Sequence, residues 1–122
     1  MGNNLFKRII RKLANRKITS EEYISMLQRR GIRVGEGTRI FDPEQTTIDV
    51  QNPHMLKIGN NVFSGMYAII LKGTTIGDNV IIGAGSVVNG RVESNSVYAG
   101  VPAKKMVLLN SLVTKRRKGW FF

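Results

Sequence analysis

One side chain in these 122 residues is suited by type to move a proton near neutral pH: His54, the single histidine. Counting in steps of 18 from it gives Glu36, Lys72 and Gly90, which would share its position on any repeat of that length. Glu36 and Lys72 are weaker candidates for a general base, because nothing beside them would bring either pKa toward neutrality. His54 follows Pro53 and equally suits a surface turn. With no cysteine there is neither a disulfide framework nor a thiolate metal site, and no metal is expected. A reducing cytoplasm is the expected location.

The second chemical resource is positive charge. Lys and Arg number 19 against 8 Asp and Glu, a net charge of +11, which points to an anionic partner: nucleic acid, an acidic membrane face or a phosphorylated cofactor. Residues 1–33 carry nine of the cations, and the tail carries Lys104, Lys105, Lys115, Arg116, Arg117 and Lys118. The stretch between is nearly neutral. Aromatics are not interleaved with the basic helix, so nucleic acid is not the expected partner.

The element that must position these groups is a repeat of six. Ile58, Ser64, Ile70, Ile76, Ile82 and Val88 share one phase, and Val62, Ala68, Thr74, Val80, Ser86 and Val92 follow four residues after each. Gly59, Gly65, Gly77 and Gly83 come directly after four of the leads. A period of six fits neither a helix nor a flat strand, and matches a hexapeptide parallel β-helix. Upstream the same phase gives Val34, Ile40, Thr46 and Asn52, with Thr38, Glu44, Val50 and Leu56 as their partners and Pro43 and Pro53 at corners. Three hexads make one coil, so residues 34–93 predict an all-β solenoid of about three coils. That is near the minimum for a stable stack, which then depends on caps or assembly.

Caps are visible on both sides. Leu5, Phe6, Ile9, Ile10 and Leu13 form one face of a basic amphipathic helix over 5–15, N-capped by Asn4, that could pack on the solenoid or lie on an acidic membrane. Thr19 or Ser20 with Glu21 and Glu22 starts a second helix, which Gly31 ends. Residues 1–33 therefore read as an N-terminal cap. Residues 94–103 leave the repeat, and 104–114 are apolar enough for a capping helix or strand. Residues 94–122 thus form a C-terminal cap with a basic-then-aromatic tail, KRRKGWFF, ordered like an interfacial anchor. No apolar run is long enough for a membrane-spanning helix or a signal peptide, and Phe6 stands where a myristoylation site wants Ser or Thr.

Residues 58–105 resemble the hexapeptide-repeat acyltransferases, more narrowly the serine, galactoside and polysaccharide O-acetyltransferases. The residues that carry the likeness are Ile58-Gly59-Asn60-Asn61-Val62, Ile76-Gly77-Asp78-Asn79-Val80, Ile82-Gly83-Ala84-Gly85-Ser86-Val87-Val88 and Ala99-Gly100-Val101-Pro102-Ala103-Lys104. The resemblance implies a left-handed parallel β-helix, a homotrimer, and acetyl-CoA bound between neighbouring solenoids for acyl transfer to a sugar or other hydroxyl. Carried over by position, Met66 and Ala84 would line the pantetheine groove. Asn89 and Gly90 would sit at a cofactor corner, where Gly90 lacks the cation often found in the family. Gly100, Pro102, Ala103, Lys104 and Lys105 would close over the adenosine end, with ammonium groups meeting the phosphates. Ser86 is expected to point inward.

The same resemblance marks a gap. In the family a catalytic His follows an Ile-Leu strand, but here Ile70-Leu71 is followed by Lys72-Gly73. One coil and its loop look absent, leaving His54 as the stand-in base. Three readings follow: an O-acetyltransferase of reduced or no activity, a silent trimeric scaffold or CoA-binding pseudoenzyme, and a basic module peripheral to the inner membrane face.

Overall fold

The computed structural model describes residues 5–10 and 17–110. The expected Asn4 cap, the rest of the first helix over 11–15 and the KRRKGWFF tail lie outside them. Residues 5–10 are helical, with Leu5, Phe6, Ile9 and Ile10 exposed rather than packed on the solenoid. No helix among the described residues is long and apolar enough to cross a membrane.

Helix α1 (Ser20–Arg29) begins where the sequence predicts. The Thr19 hydroxyl accepts from the Glu22 N–H at 3.2 Å, a cap of about 1 kcal/mol. Gly31 ends the helix region at φ +94°, a backbone state that suits glycine. The helix closes one end of the solenoid, with Leu27 and Ile32 fully buried and the Ser20 hydroxyl accepting from the Ile40 N–H at 2.9 Å.

Short parallel strands then wind around three faces. Face A stacks β1 (Arg33–Val34), β4 (Lys57–Ile58), β7 (Thr75–Ile76) and β10 (Arg91–Val92). Face B stacks β2 (Arg39–Ile40), β5 (Val62–Ser64), β8 (Val80–Ile82) and β11 (Ser96–Ala99), and face C stacks β3 (Thr47–Ile48), β6 (Ile69–Ile70) and β9 (Val87–Val88). This is the parallel β-helix expected, of about three coils. Its core is built from inward pairs two residues apart, such as Val62 with Ser64, Ala68 with Ile70, Thr74 with Ile76, Val80 with Ile82 and Ser86 with Val88, all buried.

The register departs from a uniform six in two places. Lys57 lies opposite Thr75 and Val62 opposite Val80, the expected 18 residues on. Arg33, however, lies opposite Lys57, 24 residues on, because corners 41–46 and 49–56 are longer than 65–68 and 71–74. Each long corner holds a 3-10 turn with proline at its start, Pro43–Gln45 and Pro53–Met55, where a missing N–H costs nothing. Upstream core positions are therefore Thr38 with Ile40, Thr46 with Ile48 and Leu56 with Ile58, while Glu44 is exposed and Asn52 is not a core lead. After β9 the corner shrinks to Asn89-Gly90, and Thr75 lies opposite Arg91, 16 residues on.

The winding continues past residue 93, since β11 pairs in parallel with β8. The chain then turns back as β12 (Lys104–Leu108), antiparallel to β11, so the expected capping segment begins as a strand that covers the last edge of face B.

The corner from face A to face B carries a ladder of amides. Asn61, Asn79 and Asn95 all adopt left-handed φ values of 53°, 56° and 57°, which asparagine tolerates better than most residues. Asn61 Nδ2 donates to Asn79 Oδ1 at 3.3 Å, and Asn79 Nδ2 donates to Asn95 Oδ1 at 3.1 Å. Beside it Asp78 Oδ1 accepts from the Asn60 N–H at 2.8 Å, and Ser94 Oγ from the Asp78 N–H at 2.9 Å.

Ser64 is the weak point of the core. It is buried between Ile40 and Ile82 on face B, and its hydroxyl finds no hydrogen-bond partner. A buried unpaired hydroxyl costs about 1–3 kcal/mol. Ser64→Ala is therefore expected to raise stability by about 1 kcal/mol and Tm by a few degrees. A lower Tm in thermal unfolding would contradict this account of the column.

Candidate functional site: the groove between faces B and C

Met66 and Ala84 do come together. Their coils stack at the corner from face B to face C, where the Gly85 N–H donates to the Met66 carbonyl at 2.8 Å. They line an open groove of about 450 Å³ with Phe41, Phe63, Gly65, Ile81, Ile82 and Gly83. The walls are apolar, and the Phe41 and Phe63 rings lie 6.5 Å apart. At its floor Gly65 packs so close that a side chain there would meet the Ala84 backbone nitrogen at 2.7 Å. Glycine at 65 lets the two coils stack closely, and the apolar walls leave an open groove that suits a slender, flexible chain.

The segment after β11 lies beside this groove on face C. The Gly100 N–H donates to Ser86 Oγ at 3.1 Å, and the Gly100 carbonyl accepts from the Val87 N–H at 3.0 Å. The Ala103 N–H donates to the Val87 carbonyl at 2.8 Å, and the Val101–Pro102 peptide between them is cis. Gly100, Pro102 and Ala103 therefore follow the edge of β9. Ser86 is fully buried, as expected of an inward residue.

The basic pair that follows is divided. Lys104 is exposed opposite Ala99. Lys105 Nζ is instead 2.7 Å from Glu93 Oε2, and that contact holds the Glu93 carboxyl below and the Lys105 ammonium above their ordinary pKa values. Asn89 and Gly90 form the next corner, from face C to face A, one strand away from Ala84.

His54 is also at that C-to-A corner, in the 3-10 turn of the first coil, and Lys72 and Gly90 occupy the same corner in later coils. Glu36 does not. The longer first coil moves it to the A-to-B corner, where its N–H donates to Asn60 Oδ1 at 2.9 Å. The His54 ring is exposed, and among the described residues no hydrogen bond orients it. Its surroundings are cationic: Arg33 and Lys57 line the same depression of about 380 Å³. No group of three or more His, Cys, Asp and Glu among the described residues could hold a metal ion.

Sequence reasoning overlooked the groove walls, Phe41, Phe63 and Ile81. A signal existed: Phe63 and Ile81 are 18 apart and each sits between two inward residues, where an outward polar side chain is the ordinary choice.

Stacked hexapeptides and an open apolar groove define a parallel β-helix with a cleft between two of its faces. Residues 56–90 match the family described as bacterial transferase hexapeptide (six repeats), and the chain carries that repeat domain. It is 43% identical over 67 residues to galactoside O-acetyltransferase of Escherichia coli strain K12, covering 55% of this chain and 31% of that protein. It is 48% identical over 79 residues to protein CapG of Staphylococcus aureus, covering 65% of this chain and 45% of that protein. Among solved structures, a galactoside acetyltransferase in complex with coenzyme A aligns at 28% identity and a TM-score of 0.44, covering 75% of this chain and 46% of that one. The chain thus spans less than half the length of each of these relatives.

Proposed function

We propose that this protein binds acetyl-CoA in the groove between faces B and C and transfers the acetyl group slowly to a sugar hydroxyl. The observation that carries the reading is the convergence of Met66 and Ala84 in an open apolar groove, in a chain 43% identical over 67 residues to a galactoside O-acetyltransferase. The residues present fit the cofactor. Apolar walls suit the pantetheine arm, Gly100, Pro102 and Ala103 run along the adjoining edge, and Lys104 is the exposed cation for a phosphate, since Lys105 is engaged by Glu93. When bound, the cofactor supplies an acyl thioester. The chain's part is to orient it and to accept the hydroxyl proton at a His54 ring nitrogen.

His54 and the groove are on different corners of one solenoid, so a groove served by His54 needs a second copy. An outward apolar column on face B supports assembly as a homotrimer: Phe63, Ile81, Val97 and Val107 lie in register across four strands, and Phe63 is 42% exposed.

A specific observation favours a second reading, a CoA-binding protein without transfer. An efficient base is held by a third group, and His54 has cations beside it and, among the described residues, no orienting partner. Titration calorimetry with acetyl-CoA on the wild type and Ala84→Trp, with turnover on the wild type and His54→Ala, decides between the two. Binding should weaken about tenfold or more when the exposed Ala84 is replaced. Transfer should fall to the hydrolysis background without His54. Background rates in both forms, with binding intact, establish the second reading; no heat of binding at saturating acetyl-CoA removes both.

A further inference from the structure

The three faces present different chemistry to solvent. Outward residues of face B are Arg39, Phe63, Ile81 and Val97, and those of face C are Thr47, Ile69 and Val87, so both are mainly apolar beyond the first coil. Face A presents Arg33, Lys57, Thr75 and Arg91, all exposed and in strict register. Adjacent strands are about 4.8 Å apart, so these four positions form a straight line about 14 Å long, parallel to the solenoid axis. Three of the four are cations.

No carboxylate lies in that line. Among the described residues none of the three cations forms an ion pair. Arg91 is near Glu93, but that carboxylate is held by Lys105 at 2.7 Å. Asp78, on the neighbouring corner, accepts from the Asn60 N–H through Oδ1 and borders a second depression with Arg33 and Lys57. Like charges one strand apart repel, and such a column costs stability unless an anion spans it. The depression of about 380 Å³ at one end is bounded by Arg33, Lys57, Thr75 and His54, large enough to seat a sugar ring against the line.

We propose that face A is a binding site for a linear acidic polysaccharide whose carboxylates lie along Arg33, Lys57 and Arg91. An unbranched 1,4-linked uronate chain carries one carboxylate on every ring, so its charges can be laid along a straight row of cations. A single-stranded nucleic acid fits less well, because the line offers no aromatic ring on which a base could stack. A bilayer surface fits less well too, since none of the four outward side chains could enter its apolar layer. The depression includes His54, the base of the proposed transfer, but the site rests on the charge of face A, and binding measured without acetyl-CoA separates the two.

The test is fluorescence anisotropy with a labelled, size-defined decamer of 1,4-linked uronic acid, using the full chain at low and moderate salt. A neutral dextran oligomer and phosphatidylglycerol vesicles serve as comparison ligands. The wild type should bind the decamer, more weakly as salt rises, and should not bind dextran. Arg33→Gln/Lys57→Gln/Arg91→Gln should weaken binding about tenfold or more, while Arg29→Gln/Arg39→Gln, off the face, should leave it within about twofold. Thr75→Arg fills the gap in the line at an exposed site and should tighten binding about threefold. Binding by the triple variant within twofold of the wild type overturns the proposal, as does an unchanged Kd for Thr75→Arg. It is also overturned if vesicles, and not the decamer, bind through the three cations.

Discussion

Gly59→Ala is expected to cost about 3 kcal/mol and to lower Tm by roughly 10 °C, for one methyl group at a buried corner. A Cβ there would overlap the Gly77 carbonyl oxygen and Asp78 Oδ1, and would come within 2.7 Å of the Gly77 carbonyl carbon. The obstacle is backbone, which cannot rotate away. It is also pinned: the Gly59 N–H donates to the Ile76 carbonyl at 2.9 Å, and the Asn79 N–H to the Asn60 carbonyl at 2.9 Å. Relief requires two coils to separate, breaking bonds that each contribute about 1 kcal/mol. Gly73→Ala is the control with the opposite cause. Nothing lies within 4 Å of a Cβ there, but φ is +76°, so the cost should be only the left-handed conformational penalty of about 1–2 kcal/mol. Parallel thermal and denaturant unfolding measure both, and equal losses would refute the crowding argument.

Ile82→Ala should be more damaging still, about 4 kcal/mol by chemical denaturation. Ile82 is fully buried on face B, with Ser64 on one side and Tyr98 on the other. Truncation would open a void next to a residue that is already small, and rigid stacked coils cannot collapse into it. In a solenoid each turn touches only its neighbours, so the loss falls on both interfaces of the third coil. A cost under about 1.5 kcal/mol would mean that the coils can close together.

How far the chain could be read in advance depended on where its repeat is regular. From Ile58 to Val88 every inward residue is legible, because side chains pointing into a triangular coil recur every six positions while the corners keep one length. Before Ile58 the count failed. Pro43 and Pro53 were recognised as corner residues, but the turns they start lengthen the first coil to 24 residues, and no local pattern states how many residues a corner absorbs. That error placed Glu36 beside His54, when it belongs beside Asn60. At the other end, Ser96, Tyr98 and the strand they form fall out of the six-residue count because Asn89-Gly90 shortens the preceding coil by two. Met66 and Ala84 were placed by a spacing of 18 that holds there. The Glu93–Lys105 pair joins segments that a six-residue count does not relate, and only the reversal of β12 brings them together.

The asparagine ladder gives its corner a direction. The middle amide is at once an acceptor from Asn61 and a donor to Asn95, so Asn61, Asn79 and Asn95 must all be turned the same way, like carriages coupled hook to eye. One amide cannot rotate alone without setting two donors or two acceptors against each other; the three rotate together or stay. The corner therefore has two collective orientations rather than eight independent ones, a short-range order written in side chains instead of backbone. An aspartate in the middle would end the polarity, because it only accepts: Asn61 could keep its bond, while Asn95 would have to turn and face it.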